Sequence, residues 1–241
     1  MKTSKPLAVL LSILTALTVV TGSVAVPLLC RPFYHAHIES LGLTEYGLTV
    51  EQIKVAYGQM MDFCLGLRAD FAVGDLWWSQ SGADHFADVR TLFQMDLWVL
   101  GISLVLLAAS FVYVRRKQVR PYCFWGHGPG FWAAAGLGVA FLTVGGLAAL
   151  DFDRAFVVFH SIFFPGKTNW LFYWEEDPII LFLPQEFFQN CAILILALLL
   201  TWCVVLILSD VAANRVRKAR CKADPPPDCG GNCSGCAGCQ G

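Results

Sequence analysis

The chain has 241 residues, of which 56% are hydrophobic and only 15% are charged, and its formal net charge is −1. This composition is too apolar for an ordinary water-soluble domain. Its basic residues form short clusters beside apolar runs, which excludes the extended basic surface typical of nucleic-acid binding.

Four apolar runs account for the hydrophobic excess. They cover residues 7–29, 97–114, 131–150 and 191–209, and none of them contains a charged residue. Each is about long enough to cross roughly 30 Å of hydrocarbon as a helix. The sequence therefore predicts an all-α membrane protein with four transmembrane helices.

The first run has a second interpretation. It follows Lys2 and Lys5 and ends near Ser23-Val24-Ala25, a pattern that is also typical of a cleaved signal peptide. The run is longer than the usual signal core of roughly 7–15 residues, which favours a membrane span. The other three spans do not depend on the answer.

The two segments between spans, residues 30–96 and 151–189, are predicted to pack together as a small, mostly helical cap. Thr49 followed by Val50-Glu51-Gln52 predicts a capped helix start. Hydrophobic residues then recur at helical spacing at Ile53, Ala56, Tyr57, Met60 and Met61. A second helix is predicted to begin near Ser81 or Asp84 and to continue into the second span.

The basic residues predict the orientation in the membrane. Eleven of the 17 lie in the two termini and in the loop between the second and third spans. By the positive-inside rule these parts face the cytoplasm. We therefore expect a membrane domain over residues 1–214 with cytoplasmic termini and an extracellular cap, followed by a basic, then Cys-rich cytoplasmic tail over residues 215–241.

The cysteines suggest two further features, which the sequence leaves open. The tail carries four thiols at short spacing, Cys229, Cys233, Cys236 and Cys239. They suit a soft metal ion, although an unstructured tail with adventitious metal affinity fits the pattern as well. Cys30 and Cys64 both lie in the predicted cap, where a disulfide between them is feasible.

Three of the five histidines have simple interpretations. His127 lies between two glycines and is predicted to be a turn residue. His35 and His37 form an H-x-H pair that could share a metal ion if the segment were a strand, but no further ligand pattern accompanies them. Surface histidines are the alternative.

His85 and His160 are the candidates for chemistry. His85 lies some twelve residues before the second span, and Asp88 follows on the same helical face, where its carboxylate could fix the His85 tautomer. His160 lies in the segment 151–189, in which twelve of 39 residues are aromatic, against 13% for the whole chain. Aromatic side chains favour the membrane–water boundary. The competing interpretation is two histidines that only pack within the cap.

Absent motifs narrow the choice of chemistry. The sequence contains no H-E-x-x-H, no G-x-S-x-G and no Gly-rich phosphate loop, and no apolar run carries the carboxylate expected of an ion-coupled transporter. An enzyme of this kind would work through imidazoles, without a protein nucleophile and without a cofactor.

Four short motifs lie in order along the chain: H-x-x-D-V at His85–Val89, F-H-x-x-F-F at Phe159–Phe164, the Trp170–Tyr173 stretch and I-I-L-F-L-P-x-x-F-F at Ile179–Phe188. They resemble motifs of one bacterial family, the lipoprotein intramolecular transacylases known as Lit. The resemblance covers roughly residues 1–215 and rests on the order of the motifs between the spans. The Cys-rich tail departs from the family pattern.

The resemblance implies a specific activity in the bacterial cell membrane. Members of the family move the acyl chain from the middle glycerol carbon of a diacylglyceryl-modified lipoprotein to the amine of its N-terminal cysteine, which leaves a lyso-form. The two histidines that carry the family's reaction match His85 and His160. The expected partners are thus a lipoprotein N-terminus and membrane lipid.

Other roles are assigned as hypotheses. His85 supported by Asp88 is taken as the base and His160 as the acid, although the reverse order is nearly equivalent. Asn169, Trp170 or an imidazolium are candidate donors to the oxyanion. The candidate chamber residues, each of which could instead simply anchor the cap at headgroup level, are Phe159, Phe163, Phe164 and Trp174.

Two rival functions remain at the level of sequence. One is a membrane protein without catalytic activity whose cap binds a partner. The other is a metal-dependent lipid hydrolase that uses His35, His37, His85 and His160.

Overall fold

The computed structural model describes residues 2–223, so the predicted thiol cluster at Cys229, Cys233, Cys236 and Cys239 lies outside the described residues. The α-helices are α1 (Lys5–Leu29), α2 (Arg31–His35), α3 (His37–Ser40), α4 (Val50–Cys64), α5 (Gln80–Lys117), α6 (Pro129–Leu150), α7 (Phe152–Phe163) and α8 (Gln185–Ala223). Two 3-10 helices cover Leu43–Tyr46 and Pro178–Phe182. A short parallel pair joins β1 (Lys2–Ser4) to β2 (Val119–Pro121).

Four helices, α1, α5, α6 and α8, are long and apolar enough to cross a membrane. This confirms the predicted all-α, four-span architecture. Helix α5 has 38 residues and is therefore about 57 Å long, nearly twice the thickness of the hydrocarbon. Its apolar part is the predicted span at residues 97–114, and its polar first part, residues 80–96, precedes that span.

The chain divides into two compact units. Among the described residues, the first unit contains 2–22, 99–143 and 197–223, and the second contains 23–98 and 144–196. Both segments predicted to form the cap, residues 30–96 and 151–189, therefore fall entirely in the second unit.

The first unit is built around small and aliphatic residues of three helices. Val19, Ala134, Leu199 and Cys203 are buried together there. The hydroxyl of Ser12 donates to the carbonyl of Pro129 at 3.0 Å, which joins α1 to the start of α6. Short side chains at such contacts let helices approach closely, as is common in membrane proteins.

His127 lies in the first unit at the turn predicted for it, and it has a carboxylate partner. Gly126 has a positive φ of 80°, and His127 donates its backbone N–H to the carbonyl of Phe124. The Nδ1 atom of His127 is 2.7 Å from the Asp210 carboxylate, which also accepts from the backbone N–H of Gly128 at 2.9 Å. His127 therefore fastens this loop to α8.

The second unit has a core rich in aromatic rings. Tyr34 stacks on Tyr57 with ring centroids 3.6 Å apart, and its hydroxyl donates to the carbonyl of Phe182 at 2.7 Å. Edge contacts from Phe187 to both tyrosines complete the cluster. Residues from α2, α4 and α8 thus form a single packed core with the Pro178–Phe182 helix.

Helix α4 forms as the sequence predicts. Thr49 and Gln52 make a reciprocal capping box at its first turn. The residues at helical spacing, Ile53, Ala56, Tyr57, Met60 and Met61, are all buried. The Thr49 cap and the buried face of α4 are confirmed.

Helix α5 begins at Gln80, one residue before the predicted start. The hydroxyl of Ser79 accepts from the backbone N–H of Gly82 at 3.0 Å and donates to the carboxylate of Asp177 at 2.6 Å. The other oxygen of Asp177 accepts from the backbone N–H of Ser79 at 2.7 Å. Asp177 is only 4% exposed, so these bonds replace its lost hydration. They tie the segment before the Pro178–Phe182 helix to the start of α5.

Cys30 and Cys64 are both free thiols in the structure, so the feasible disulfide is not formed. Cys30 is exposed, whereas Cys64 is buried with its Sγ directed to the carbonyl of Phe86 at 4.0 Å. Burial raises the pKa of the Cys64 thiol to about 12. Cys64 is therefore an inert core residue.

The H-x-H pair does not form a metal site in the described residues. His35 ends α2 and His37 begins α3, so the segment is helical rather than the strand that a shared metal ion would need. Positions two apart on a helix do not face each other. The Nδ1 atom of His37 lies 2.7 Å from the carbonyl of Phe33, and residues 2–223 contain no group of three metal-ligating side chains.

Candidate active site

Two imidazoles lie face to face in the second unit. His85 is in the polar first part of α5, and His160 is in α7, a helix capped by the Asp151 side chain, which accepts from the backbone N–H of Arg154. The two rings have centroids 6.0 Å apart and planes inclined by 29°. His85 is 6% exposed and His160 is 7% exposed. The fold thus brings together two histidines that are 75 positions apart in the sequence.

Aromatic rings enclose this pair. Phe164 lies 5.0 Å from the His85 ring and 5.6 Å from the His160 ring. Phe172 packs edge-on to His85 at 5.4 Å, and Trp170 stacks on His160 at 4.7 Å. Such a setting excludes water and lowers the local dielectric, which strengthens every hydrogen bond formed inside it.

The hydrogen bond of His160 determines which nitrogen carries its proton. Nδ1 of His160 lies 2.8 Å from the carbonyl oxygen of Phe156, one turn earlier in α7. A carbonyl only accepts, so Nδ1 is the donor and Nε2 of the neutral ring has a free lone pair. Burial lowers the pKa of His160, and the bond to Phe156 offsets part of this effect. The ring is therefore neutral at pH 7, with Nε2 able to accept a proton.

His85 does not have the partner that its sequence neighbourhood suggested. Its Nδ1 atom is completely covered and has no hydrogen-bond partner among residues 2–223. The Asp88 carboxylate instead accepts from Lys167 Nζ at 2.5 Å and from Asn169 Nδ2 at 3.2 Å. Asp88 therefore makes no bond to His85 Nδ1 in the structure, because its carboxylate bonds instead to a nearby cation and amide, and its role in fixing the His85 tautomer stays a prediction.

We refer to Asp88, Lys167 and Asn169 as the Asp88 clamp. Asp88 belongs to α5, one turn after His85, whereas Lys167 and Asn169 belong to the segment that follows α7. The clamp joins the two chain segments that carry the imidazoles.

The candidate oxyanion donors are already engaged. The indole N–H of Trp170 donates to the carbonyl of Lys167 at 3.0 Å, and the Asn169 amide nitrogen donates to Asp88. The Trp170 N–H is therefore not free in this arrangement, and its role as a donor to the oxyanion stays a prediction. The Trp170 ring instead supports the face of His160.

The four candidate chamber residues occupy different positions. Phe164 is buried beside both imidazoles, and Phe159 lies 5.5 Å from the His160 ring. Phe163 packs on Phe159 at 4.6 Å, and both are about half exposed. Trp174 is 56% exposed and makes no ring contact with either imidazole within the described chain. The structure brings Phe164 and Phe159 to the site, but not Trp174.

Three contributors to the site were missed from the sequence: Phe156, Lys167 and Phe172. Lys167 had a detectable signal, because it is the only basic residue between Arg154 and Arg215 and it lies in an aromatic segment. Phe156 contributes a backbone carbonyl, which no residue pattern reveals. Phe172 lies within the Trp170–Tyr173 stretch, but neighbouring aromatic residues give no indication of which ring faces His85.

The fold and the site together indicate a class of protein. A buried pair of proton-transferring groups within a four-span membrane protein is suited to acid–base chemistry on a substrate that partitions into the bilayer.

The family follows from sequence comparison. The family model described as lipoprotein intramolecular transacylase Lit matches residues 9–188, which is about three quarters of the chain. The chain therefore belongs to the Lit family and is a membrane-integral acyltransferase. No curated protein matches the sequence.

Solved structures show the same fold. The membrane-integral lipoprotein intramolecular transacylase Lit from Bacillus cereus superposes with a TM-score of 0.77 at 21% identity, and the match covers 89% of this chain and 96% of the other. A variant of that protein with one histidine replaced by arginine matches with a TM-score of 0.71 at 21% identity, over 89% of this chain and 92% of the other. A variant of the same protein with a histidine replaced by alanine matches with a TM-score of 0.68 at 23% identity. This match covers 87% of this chain and 94% of the other.

Proposed function

We propose that this protein transfers the sn-2 acyl chain of a diacylglyceryl-modified lipoprotein to the amine of the lipoprotein's own N-terminal cysteine. His85 and His160 are the proton-transferring groups. The observation that carries this proposal is the 6.0 Å separation of two buried imidazoles, one of which presents a free lone pair. Membership of the transacylase family supplies the reaction class.

The reaction balances without water or a co-reactant. The amine nitrogen forms a bond to the ester carbonyl carbon, and the bond from that carbon to the glycerol oxygen breaks. One proton leaves the amine and one proton reaches the glycerol oxygen, so the products are an amide and a free hydroxyl. The total mass of the lipoprotein does not change.

His160 is the proposed base. Its Nδ1–H is held by the carbonyl of Phe156, so its Nε2 is the atom that receives the amine proton. This reverses the order that Asp88 suggested from the sequence. His85, whose neutral ring also carries one N–H, is left to donate to the oxyanion or to the departing glycerol oxygen.

The protein's other contribution is orientation. Both reacting groups belong to one flexible substrate. Holding that substrate in a reactive conformation raises the effective concentration of the amine at the ester and so lowers the barrier. The ring of Phe164 beside both imidazoles, with Phe172 and Trp170 around them, provides an apolar enclosure for this purpose. No acyl-enzyme is required.

The proposal places the site outside the cytoplasm. Eleven of 17 basic residues lie in the termini and the loop around β2, which are therefore cytoplasmic, with residues 30–96 and 151–189 on the opposite side. That side is where the N-terminus of a translocated lipoprotein is displayed.

Mass spectrometry of a reporter lipoprotein, expressed with and without the protein, tests the proposal. The expected product has unchanged total mass and a blocked N-terminus. Loss of one fatty acid would instead identify a hydrolase, and a chelator would abolish its activity if it used a metal ion. An unmodified reporter would contradict catalysis on this substrate.

A further inference from the structure

One buried atom of the Asp88 clamp, Oδ1 of Asn169, takes no part in the hydrogen bonds of the clamp. The amide nitrogen of Asn169 donates to Asp88, and its Oδ1 atom is completely covered, with no donor among residues 2–223. The amide cannot be flipped to relieve this, because the Asp88 carboxylate only accepts and requires the nitrogen to face it. An unsatisfied buried acceptor is unfavourable unless a bound molecule supplies the donor.

Asn169 is adjacent to the reacting groups. Its neighbour Trp170 stacks on His160 at 4.7 Å, and its bonding partner Asp88 lies one turn after His85. Of the donors near it, the Trp170 N–H bonds to the Lys167 carbonyl and Lys167 Nζ bonds to Asp88. No donor among residues 2–223 reaches Asn169 Oδ1, and a bound substrate is the group that could supply one.

The substrate has two reacting ends, and only one of them offers N–H or O–H donors. The ester is an acceptor throughout, whereas a primary amine has two N–H groups and one lone pair. If His160 Nε2 takes one N–H and a second acceptor takes the other, the lone pair is left to attack the carbonyl carbon. Two acceptors with such complementary positions fix the direction of attack.

We propose that Asn169 Oδ1 binds the second N–H of the lipoprotein's N-terminal amine and so orients the nucleophile. This inference rests on the proposed transacylase function. Asn169 then acts as an acceptor for the amine, and not as the donor to the oxyanion that the sequence suggested. This hydrogen bond makes the enzyme selective for a primary amine.

The test compares two synthetic diacylglyceryl lipopeptides, one with a free N-terminal cysteine and one with the same cysteine N-methylated. The methylated amine has a single N–H, which is used by His160, so it leaves Asn169 without its bond. We expect the wild-type protein to favour the primary amine about tenfold in kcat/KM beyond the intrinsic difference in reactivity, the size of effect typical of one hydrogen bond. Rates are measured by mass spectrometry of the N-acylated product.

The variant Asn169→Leu, which has nearly the same shape but no polar atoms, is expected to lose about tenfold in rate on the primary amine and to lose the preference. The matched control is Lys167→Met, which weakens the clamp but leaves the Asn169 oxygen in place. That control is expected to be slower while retaining the wild-type preference. A purely structural role for Asn169 would lower both rates equally and leave the ratio unchanged.

An unchanged ratio in folded Asn169→Leu overturns the inference. If that variant does not fold, Asn169→Gln displaces the oxygen by one methylene and is expected to reduce the ratio in the same way; a wild-type ratio there also overturns it. Failure of the wild-type protein to acylate either amine would instead contradict the proposed function, so the two outcomes are distinct.

Discussion

His127 of the first unit and His160 of the second unit show two ways of holding an imidazole. His127 has its Nδ1 at 2.7 Å from the Asp210 carboxylate, which Asn214 also contacts at 3.0 Å. His160 has a backbone carbonyl at 2.8 Å from its Nδ1 and a second histidine ring 6.0 Å away. The Asp210 carboxylate holds His127 in a structural contact between its loop and α8, whereas a carbonyl in an apolar cage favours the neutral ring of His160 with a free Nε2 lone pair.

Removing either imidazole of the candidate site is expected to have the largest effect on activity. His160→Ala and His85→Ala are each expected to lower the transacylation rate by about 10²–10⁴-fold, the usual contribution of a positioned acid or base. Expression level and thermal stability are measured beside the rate of reporter conversion.

The matched control is His127→Ala. This variant loses the bond to Asp210 and should be somewhat less stable, but its rate per folded molecule should stay within about threefold of wild type, the scatter ordinarily seen for a residue away from the chemistry. Equal losses for His127→Ala and His160→Ala would show that the distinction between the two imidazoles is incorrect.

Substitutions in the Asp88 clamp are expected to have the next largest effect on kcat. Lys167→Met removes the ion pair that holds the segment after α7 to α5, and kcat is expected to fall about tenfold through misplacement of His160. Asp88→Asn should cause a similar fall. Because the two residues act as one device, the double variant should be little worse than either single variant, as a kinetic double-mutant cycle would measure. Strict additivity would mean that they act separately.

The neutral state of His160 predicts the pH dependence of turnover. Because its pKa is lowered, the ring remains an unprotonated base at the ordinary imidazole pKa of about 6.5. With saturating substrate, the midpoint of the fall in kcat on acidification should therefore lie below pH 6.5. A decline centred at or above pH 6.5 in a pH–rate profile would contradict a buried, neutral His160.

Gly82 tests the connection between the start of α5 and Asp177. A Cβ at Gly82 would overlap the Asp177 Oδ1 atom, so Gly82→Ala must disturb the bonds between Ser79 and Asp177. We expect a loss of about 1–3 kcal/mol in unfolding free energy, the cost typical of a broken buried hydrogen-bond network. Gly101→Ala in the same helix meets no atom within 4 Å and should be neutral or stabilising. A thermal melt in one detergent compares them; equal melting temperatures would contradict the steric argument.

The sequence predicted the elements of this fold well because their signals are local. Uncharged runs of membrane length gave the four spans, and the capping box at Thr49 with the buried positions from Ile53 to Met61 gave α4. These features depend on neighbours a few residues apart, which any sequence displays directly.

The partners of the polar side chains could not be predicted in the same way. Asp88 lies three residues from His85, yet it bonds to Lys167, 79 positions away. Ser79 similarly bonds to Asp177, 98 positions away. Carboxylates take the nearest cation or N–H that the tertiary structure supplies, and that choice depends on how distant loops meet.

The uninterrupted length of α5 couples the chemistry to the surrounding bilayer. His85 is carried about 18 Å beyond the apolar residues 97–114 on the same rigid rod. A transmembrane helix accommodates a change in hydrocarbon thickness by tilting. A small tilt of α5 in the lipid would therefore move the His85 imidazole sideways. If His85 acts as proposed, we therefore expect the rate of transacylation to depend on the acyl-chain length of the surrounding phospholipids.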